Sequence, residues 1–191
     1  MNEVIEDVVN LKESPLYDER MRNGYVPVIG DGSLDAHVML IGEAPGRNEA
    51  ASGKPFCGAS GKVLDHLLAC AGMSRTDVYV TNIIKDRPAG NRDPKPEEVD
   101  LYAQFLIRQI EIIQPRVIAT LGRFSMGFIF EHYGLGDEMD LISKVHGKIF
   151  KVHTEFGKVL VVPLFHPAVA IYDRKRMSEL EQDAKMLGAC L

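Results

Sequence analysis

The sequence predicts one α/β domain, a three-layer sandwich whose central four-stranded parallel sheet is covered by helices on both faces. Three observations predict it. Short apolar runs that read as buried strands alternate with stretches of helical period. A length of 191 residues suits one domain with a core large enough to need no disulfide or metal staples. No internal repeat or low-complexity stretch divides the chain. Residues 1–191 are therefore read as a single domain, with 1–36 as a helical and irregular lead-in and 37–187 as the core.

Residues 1–12 read as a short helix, with Val4, Ile5, Val8, Val9 and Leu11 as its apolar positions. Residues 13–36 read as irregular. The first strand covers about 37–42, around Val38-Met39-Leu40-Ile41, and a long Gly/Ala/Ser-containing loop follows over 44–61. Val63, Leu64, Leu67, Leu68 and Ala71 then recur at helical period, and Gly72 supplies the left-handed cap. The second strand runs over about 78–83. Three prolines and a glycine constrain the loop at 85–96. Glu97 and Glu98 sit in the first turn of the next helix, where acids complement the helix dipole, and Pro115 stops that helix after Gln114. Arg116 to Leu121 is the third strand, and a helix covers about 123–133. Residues 134–158 are mixed, with a small hairpin at Lys148–Val152 and Val159–Val162. The fourth core strand ends at Phe165, and Ser178 to Leu187 is the last helix.

Composition excludes several classes. A 46% hydrophobic fraction is that of a soluble globular protein, and no apolar run approaches the roughly 20 residues needed to span a bilayer. The N-terminus is acidic where a signal peptide would be basic and then apolar, so the cytoplasm is the expected location. Cys57, Cys70 and Cys190 are odd in number and form no CxxC, which argues against a disulfide framework or a cysteine-only metal site. The net charge of −5 disfavours bulk nucleic-acid affinity, but its distribution is uneven. Residues 144–176 hold seven basic side chains (Lys144, Lys148, Lys151, Lys158, Arg174, Lys175, Arg176) against Glu155 and Asp173. That segment is a candidate phosphate-contacting surface.

Three strand ends carry the candidate chemistry. Gly42-Glu43-Ala44-Pro45-Gly46 follows the first strand, Tyr79-Val80-Thr81-Asn82 ends the second, and His166-Pro167-Ala168 follows the fourth. In an open parallel sheet, ligands bind at the carboxyl ends of strands. A carboxylate, an amide and an imidazole are thus expected to converge on one cleft. An isolated Phe is usually core, but Phe56 in Gly53-Lys54-Pro55-Phe56-Cys57-Gly58 is held in a Gly/Pro loop near that edge. It is a candidate stacking platform.

These strings together resemble the uracil-DNA glycosylase superfamily, most closely its family 4. GEAPG, then G-x-P-F-x-G, then Thr81-Asn82-Ile83-Ile84-Lys85 for T-N-x-[VI]-K, then Arg87-Pro88 with Asn91-Arg92, Pro94 and Glu97-Glu98, then HPA for H-P-[SA] recur in order over roughly 37–187. The resemblance implies a monofunctional glycosylase that hydrolyses the N-glycosidic bond of uracil in DNA by base flipping and leaves an abasic site. Glu43 and His166 would be catalytic: His166 donates toward uracil O2, and Glu43 activates water or stabilises the sugar cation, two roles that the sequence does not separate. Ala44, Glu49, Phe56 and Asn82 would bind uracil, with Glu49 helping to exclude the thymine methyl. One amide can match both O4 and N3–H of uracil, while cytosine reverses that pattern. Val169 and Ile171 would wedge into the minor groove. Lys85, Arg87, Arg92, Lys148, Arg174, Lys175 and Arg176 would contact DNA. Uracil-containing DNA is the expected partner of a monomer with no metal and no membrane association.

Family 4 members hold a [4Fe–4S] cluster on four cysteines, and here the resemblance fails. Two of those cysteines lie in the lead-in, yet this chain has none before Cys57; Asp86 and Tyr102 stand at the other two positions. No cluster is expected. The loop at 85–96 has no histidine and no insertion, so the self-trapping chemistry of a related subfamily is not expected. Lys85, close in sequence to Asn82, leaves lyase chemistry open. Two other functions stay open: excision of another deaminated base such as hypoxanthine or xanthine, and a non-catalytic DNA-binding module of the same fold.

Overall fold

Runs of consecutive buried residues form the parallel centre of the sheet. The computed structural model describes all 191 residues. In chain order the elements are α1 (Asn2–Val9), α2 (Pro15–Asn23), β1 (Asp31–Gly32), β2 (Val38–Gly42), α3 (Arg47–Ser52), α4 (Ala59–Cys70), β3 (Val78–Asn82), α5 (Pro96–Ile113), β4 (Val117–Leu121), α6 (Arg123–His132), α7 (Ile142–Val145), β5 (Phe150–Thr154), β6 (Gly157–Leu164), α8 (Val169–Tyr172) and α9 (Met177–Gly188). The sheet order is β1-β3-β2-β4-β6-β5. The inner four strands β3, β2, β4 and β6 are parallel, whereas β1 and β5 join antiparallel at the edges. The expected four-stranded parallel sheet is thus the centre of a six-stranded mixed sheet.

Every residue of β2, β3 and β4 is buried. Such strands are covered on both faces, and alternation sends successive side chains to opposite sides. Met39, Ile41, Tyr79, Ile118 and Val161 face a core shared with α1, α5 and α6. Val38, Leu40, Val80, Ala119 and Val162 face the other way, toward Leu64 and Leu68 of α4 and Leu187 of α9. This makes the three layers.

Local signals set the helix ends. In α5, Pro96 occupies the first turn and the Glu98 carboxylate accepts from the Lys95 backbone N–H at 2.9 Å. Gln114, at φ 50°, ends that helix before Pro115. Gly72, at φ 75°, follows α4 in the left-handed region. Two expected irregular stretches contain helices. Residues 13–36 hold α2, opened by Ser14 as its N-cap and Pro15 at its first position, and also the two-residue β1. Residues 44–61 hold α3, six residues whose Glu49 side chain turns back to accept from the Gly46 N–H at 2.9 Å. No helix is long and apolar enough to cross a membrane.

Candidate active site

β2 and β3 end in register, with Gly42 opposite Asn82. Gly42 is required there: a Cβ at this position would collide with Asn82 Oδ1 and come within 2.8 Å of Phe56 Cζ. Asn82 is 1% exposed, and its Nδ2 has no hydrogen-bond partner. Burying an amide N–H unpaired costs about 1–3 kcal/mol. Asn82 is not on the open wall of the cleft. It is buried against Gly42, the residue on which the Phe56 ring also rests.

Phe56 itself is built into place by its loop. It sits at φ 50°, a conformation a phenylalanine adopts only when its surroundings enforce it. Arg75 Nη2 donates to its carbonyl at 2.9 Å, and the missing side chain of Gly61 leaves room for that same carbonyl. The Phe56 ring lies 5.6 Å from the His166 ring, centroid to centroid, with the planes at 32°.

His166 follows β6 at the same sheet edge. Its Nδ1 accepts from the Ala168 backbone N–H at 3.2 Å, which leaves the neutral ring's proton on Nε2. Burial pushes the imidazole pKa down to about 4, so the ring is neutral at physiological pH. Glu43, half-buried after β2, moves the other way. Burial, and then the nearby Asp93 charge, push its carboxyl up to about 7 against the pull of Arg123. Glu49 is buried, and burial also raises its carboxyl pKa, opposed by backbone hydrogen bonds from Gly46 and Phe56 and by Arg75.

Glu43, Ala44, Glu49, Phe56 and His166 line one cleft at the carboxyl end of the sheet, together with Ser60, Pro88, Asn91, Arg92 and Ala168. A second groove shares Glu43 and runs past Ile83, Pro94 and Phe124. Arg123 borders it, its guanidinium 4.6 Å over the Phe124 ring and 3.1 Å from Asp93. Sequence reading missed Arg123, whose only signal was its place directly after the third strand end.

The expected DNA contacts divide. Lys148, Ile171, Arg174 and Lys175 are exposed. Lys85 is not a surface contact: it is fully buried, and its Nζ is enclosed by Thr81, Asn82 and Gln109. Arg92 is committed to a two-pronged bond with Glu98 and is a cleft wall rather than a free cation. Arg87 donates to Asn91 Oδ1 at 2.7 Å and holds the loop that carries Asn91 and Arg92. Val169 is half-buried against the Phe165–Leu180 cluster and so is less open than Ile171. Arg176 stacks over Phe165 at 4.9 Å. Tyr172, which sequence reading passed over, is 89% exposed beside Ile171 at 44%. It is the most exposed large apolar side chain of the segment after His166.

A second buried polar group lies behind the cleft loop. Arg20 Nη1 donates to both oxygens of Asp86, at 3.2 and 3.1 Å, and the Tyr102 hydroxyl donates to Asp86 Oδ2 at 2.6 Å. Arg20 also donates to the carbonyls of Val8 and Val9 at the end of α1. Arg20, Asp86 and Tyr102 are 4%, 1% and 0% exposed. Burial raises the Asp86 carboxyl pKa, and Tyr102 and Arg20 pull it down.

Residues 29–186 match the family model described as the uracil DNA glycosylase superfamily. A type-4 uracil-DNA glycosylase of Archaeoglobus fulgidus is 41% identical over 188 residues, covering 98% of this chain and 92% of the relative. A type-4 uracil-DNA glycosylase of Saccharolobus solfataricus is 42% identical over 173 residues, 90% of this chain and 78% of the relative. One of Sulfurisphaera tokodaii is 38% identical over 188 residues, 98% and 83%.

Proposed function

The chain belongs to the uracil DNA glycosylase superfamily, and from that premise we propose how it works on DNA. It is a uracil-DNA glycosylase, a hydrolase that excises uracil in DNA repair. The observation that carries the reading into this chain is the buried, unpartnered Nδ2 of Asn82 beside Gly42 and Phe56.

The target nucleotide leaves the stack and its base enters the cleft. Phe56 offers a ring face to the base. Asn82 Nδ2 donates to O4, and Oδ1 accepts from N3–H; cytosine presents the reverse and leaves the amide unpaired at a cost of about 1–3 kcal/mol. The bond between C1′ and N1 breaks, and its electron pair leaves with uracil. His166, neutral and protonated on Nε2, donates to O2 where negative charge builds. Glu43 in its carboxylate form faces the sugar, offering negative charge to the cation and an acceptor to the incoming water. Water adds at C1′ and gives its proton to the Glu43 carboxylate, which leaves an abasic site and a free uracil anion. Glu49 shapes the pocket against the thymine methyl. Lys148, Arg174 and Lys175 contact phosphates, and Ile171 with Tyr172 enters the stack where the nucleotide left.

We propose that this chemistry needs no iron–sulfur cluster. Such clusters are held by thiolates. Asp86 and Tyr102 stand at two of the family's ligand positions, and their oxygen atoms are engaged with each other and with Arg20. The thiols lie elsewhere, with Cys57 exposed, Cys70 on α4 and Cys190 after α9. This donor set does not fit the cluster.

The test is cleavage of a labelled oligonucleotide carrying one uracil, followed by alkali, with EDTA throughout. Wild type is expected to cut, and His166→Ala to be slower by about 10²–10³-fold, the worth of one oxyanion-type donor. Matched oligonucleotides carrying hypoxanthine or xanthine are expected to stay intact. Cutting of those in place of uracil would move the assignment to another base.

A further inference from the structure

Lys85 is fully buried, and no carboxylate pairs with it. A lysine is almost never found so without a partner. Its Nζ donates to Thr81 Oγ1 at 2.8 Å, to the Asn82 carbonyl at 2.6 Å and to Gln109 Oε1 at 2.6 Å. Each neighbour's own protons are already placed. The Thr81 hydroxyl donates to the Ile29 carbonyl at 2.6 Å, and Gln109 Nε2 donates to that same carbonyl at 2.9 Å and to the Tyr79 hydroxyl at 3.0 Å. Nζ therefore sits among three oxygen atoms with no counter-charge, and burial holds its pKa well below the usual lysine value.

The placement of this clamp gives it meaning. Thr81 faces the α5 side of the sheet with Tyr79, and by strand alternation Asn82 faces the opposite side, toward Phe56. β1 pairs with β3 only at Tyr79 and Val80, so the end of β3 lies beyond its edge neighbour. Lys85 grips the Asn82 carbonyl from behind while the Asn82 side chain stays unpartnered in front. Fully buried and outside the cleft lining, Nζ has no path to a sugar for lyase chemistry.

We propose that Lys85 is the positioning residue for base recognition, fixing the Asn82 backbone so that the side-chain amide is held for uracil. This rests on the uracil reading above. It assigns Lys85 a role in the base step and none in holding DNA.

The experiment compares wild type with Lys85→Met, which keeps an unbranched side chain one atom shorter and removes its donors. Four quantities are read: the single-turnover excision rate at saturating enzyme, inhibition by free uracil, affinity for undamaged duplex DNA, and the melting temperature. Lys85→Met is expected to lose on the order of 10²-fold in rate, the usual size of a misplaced reacting geometry. Uracil inhibition should weaken with it, while affinity for undamaged DNA stays unchanged. Thr81→Val removes one partner of Nζ together with the hydroxyl's own bond to the Ile29 carbonyl, which Gln109 still serves, and about a five- to tenfold loss in the same pattern is expected; it serves where Lys85→Met does not fold. A folded variant with wild-type rate and wild-type uracil inhibition overturns the proposal, as does a loss confined to DNA affinity. A wild type that excises no uracil fails the parent reading instead, a result distinct from an active wild type beside a normal variant.

Discussion

Two sets of polar side chains, one buried and one only partly so, lie near residues 83–85, and they are completed in different ways. Arg20, Asp86 and Tyr102 complete one another: both carboxylate oxygens, the hydroxyl proton and guanidinium donors are engaged inside the protein. Asn82, Glu43 and His166 leave theirs open. Nδ2 of Asn82 has no partner, Glu43 is pushed up toward neutrality, and the His166 ring is held only through Nδ1. A closed polar network serves the fold, because its members satisfy each other only in the native state. An open one stores a desolvation cost that a ligand relieves.

The contrast predicts a double dissociation between stability and activity. Its largest effect is on the closed side. Asp86→Ala leaves the Arg20 cation buried and unpaired, and is expected to cost about 3–5 kcal/mol in denaturant unfolding. Activity per folded molecule should stay near wild type. A loss under about 1 kcal/mol would break the comparison. Tyr102→Phe removes one hydrogen bond to a charged group and should cost about 1.5–3 kcal/mol by the same measurement. On the open side, His166→Ala should change stability by only about 1 kcal/mol while activity collapses.

A smaller effect sharpens the comparison through pH. Burial raises Glu43 to about 7, so its active carboxylate forms only as pH climbs through that value. The excision rate should rise with pH around 7, and Glu43→Gln should flatten that rise. His166, lowered to about 4, should add no limb between pH 5 and 8. The stability linkage has the opposite sense. Below its raised folded pKa the native carboxyl holds a proton that the unfolded chain, at about 4.3, has already lost, so the Glu43 contribution to stability falls as pH rises from 4.3 to 7.

The parallel centre of the sheet was legible because Val38–Ile41, Val78–Thr81, Val117–Leu121 and Val159–Phe165 are continuous apolar runs ending in polar strings. Those strings put Glu43, Asn82 and His166 at strand ends of one sheet edge; Glu43 and His166 line the cleft there, while Asn82 is buried against Gly42 instead of on its wall. What stayed hidden was structure made by distant partners or by very few residues. α3 has no apolar period in Arg47–Ser52, and β1 has two residues. Arg20 and Asp86 are 66 residues apart, so nothing local announces their pairing. Lys85 looked like a surface cation because lysine usually is one; its burial depends on Gln109, 24 positions away on α5. Tyr172 lies in an apolar run whose burial sequence alone does not set, and it proved the exposed member.

The most direct measurement replaces the open amide itself. Wild type and Asn82→Asp would be compared in single-turnover excision from matched oligonucleotides carrying uracil or cytosine at one position. Wild type should release uracil and leave cytosine. Asn82→Asp should lose uracil release by on the order of 10²-fold, since an ionised carboxylate has no proton for O4 and repels it. Wild-type uracil release by a folded Asn82→Asp protein would contradict the account, because the unpartnered amide would then not be the group that reads the base.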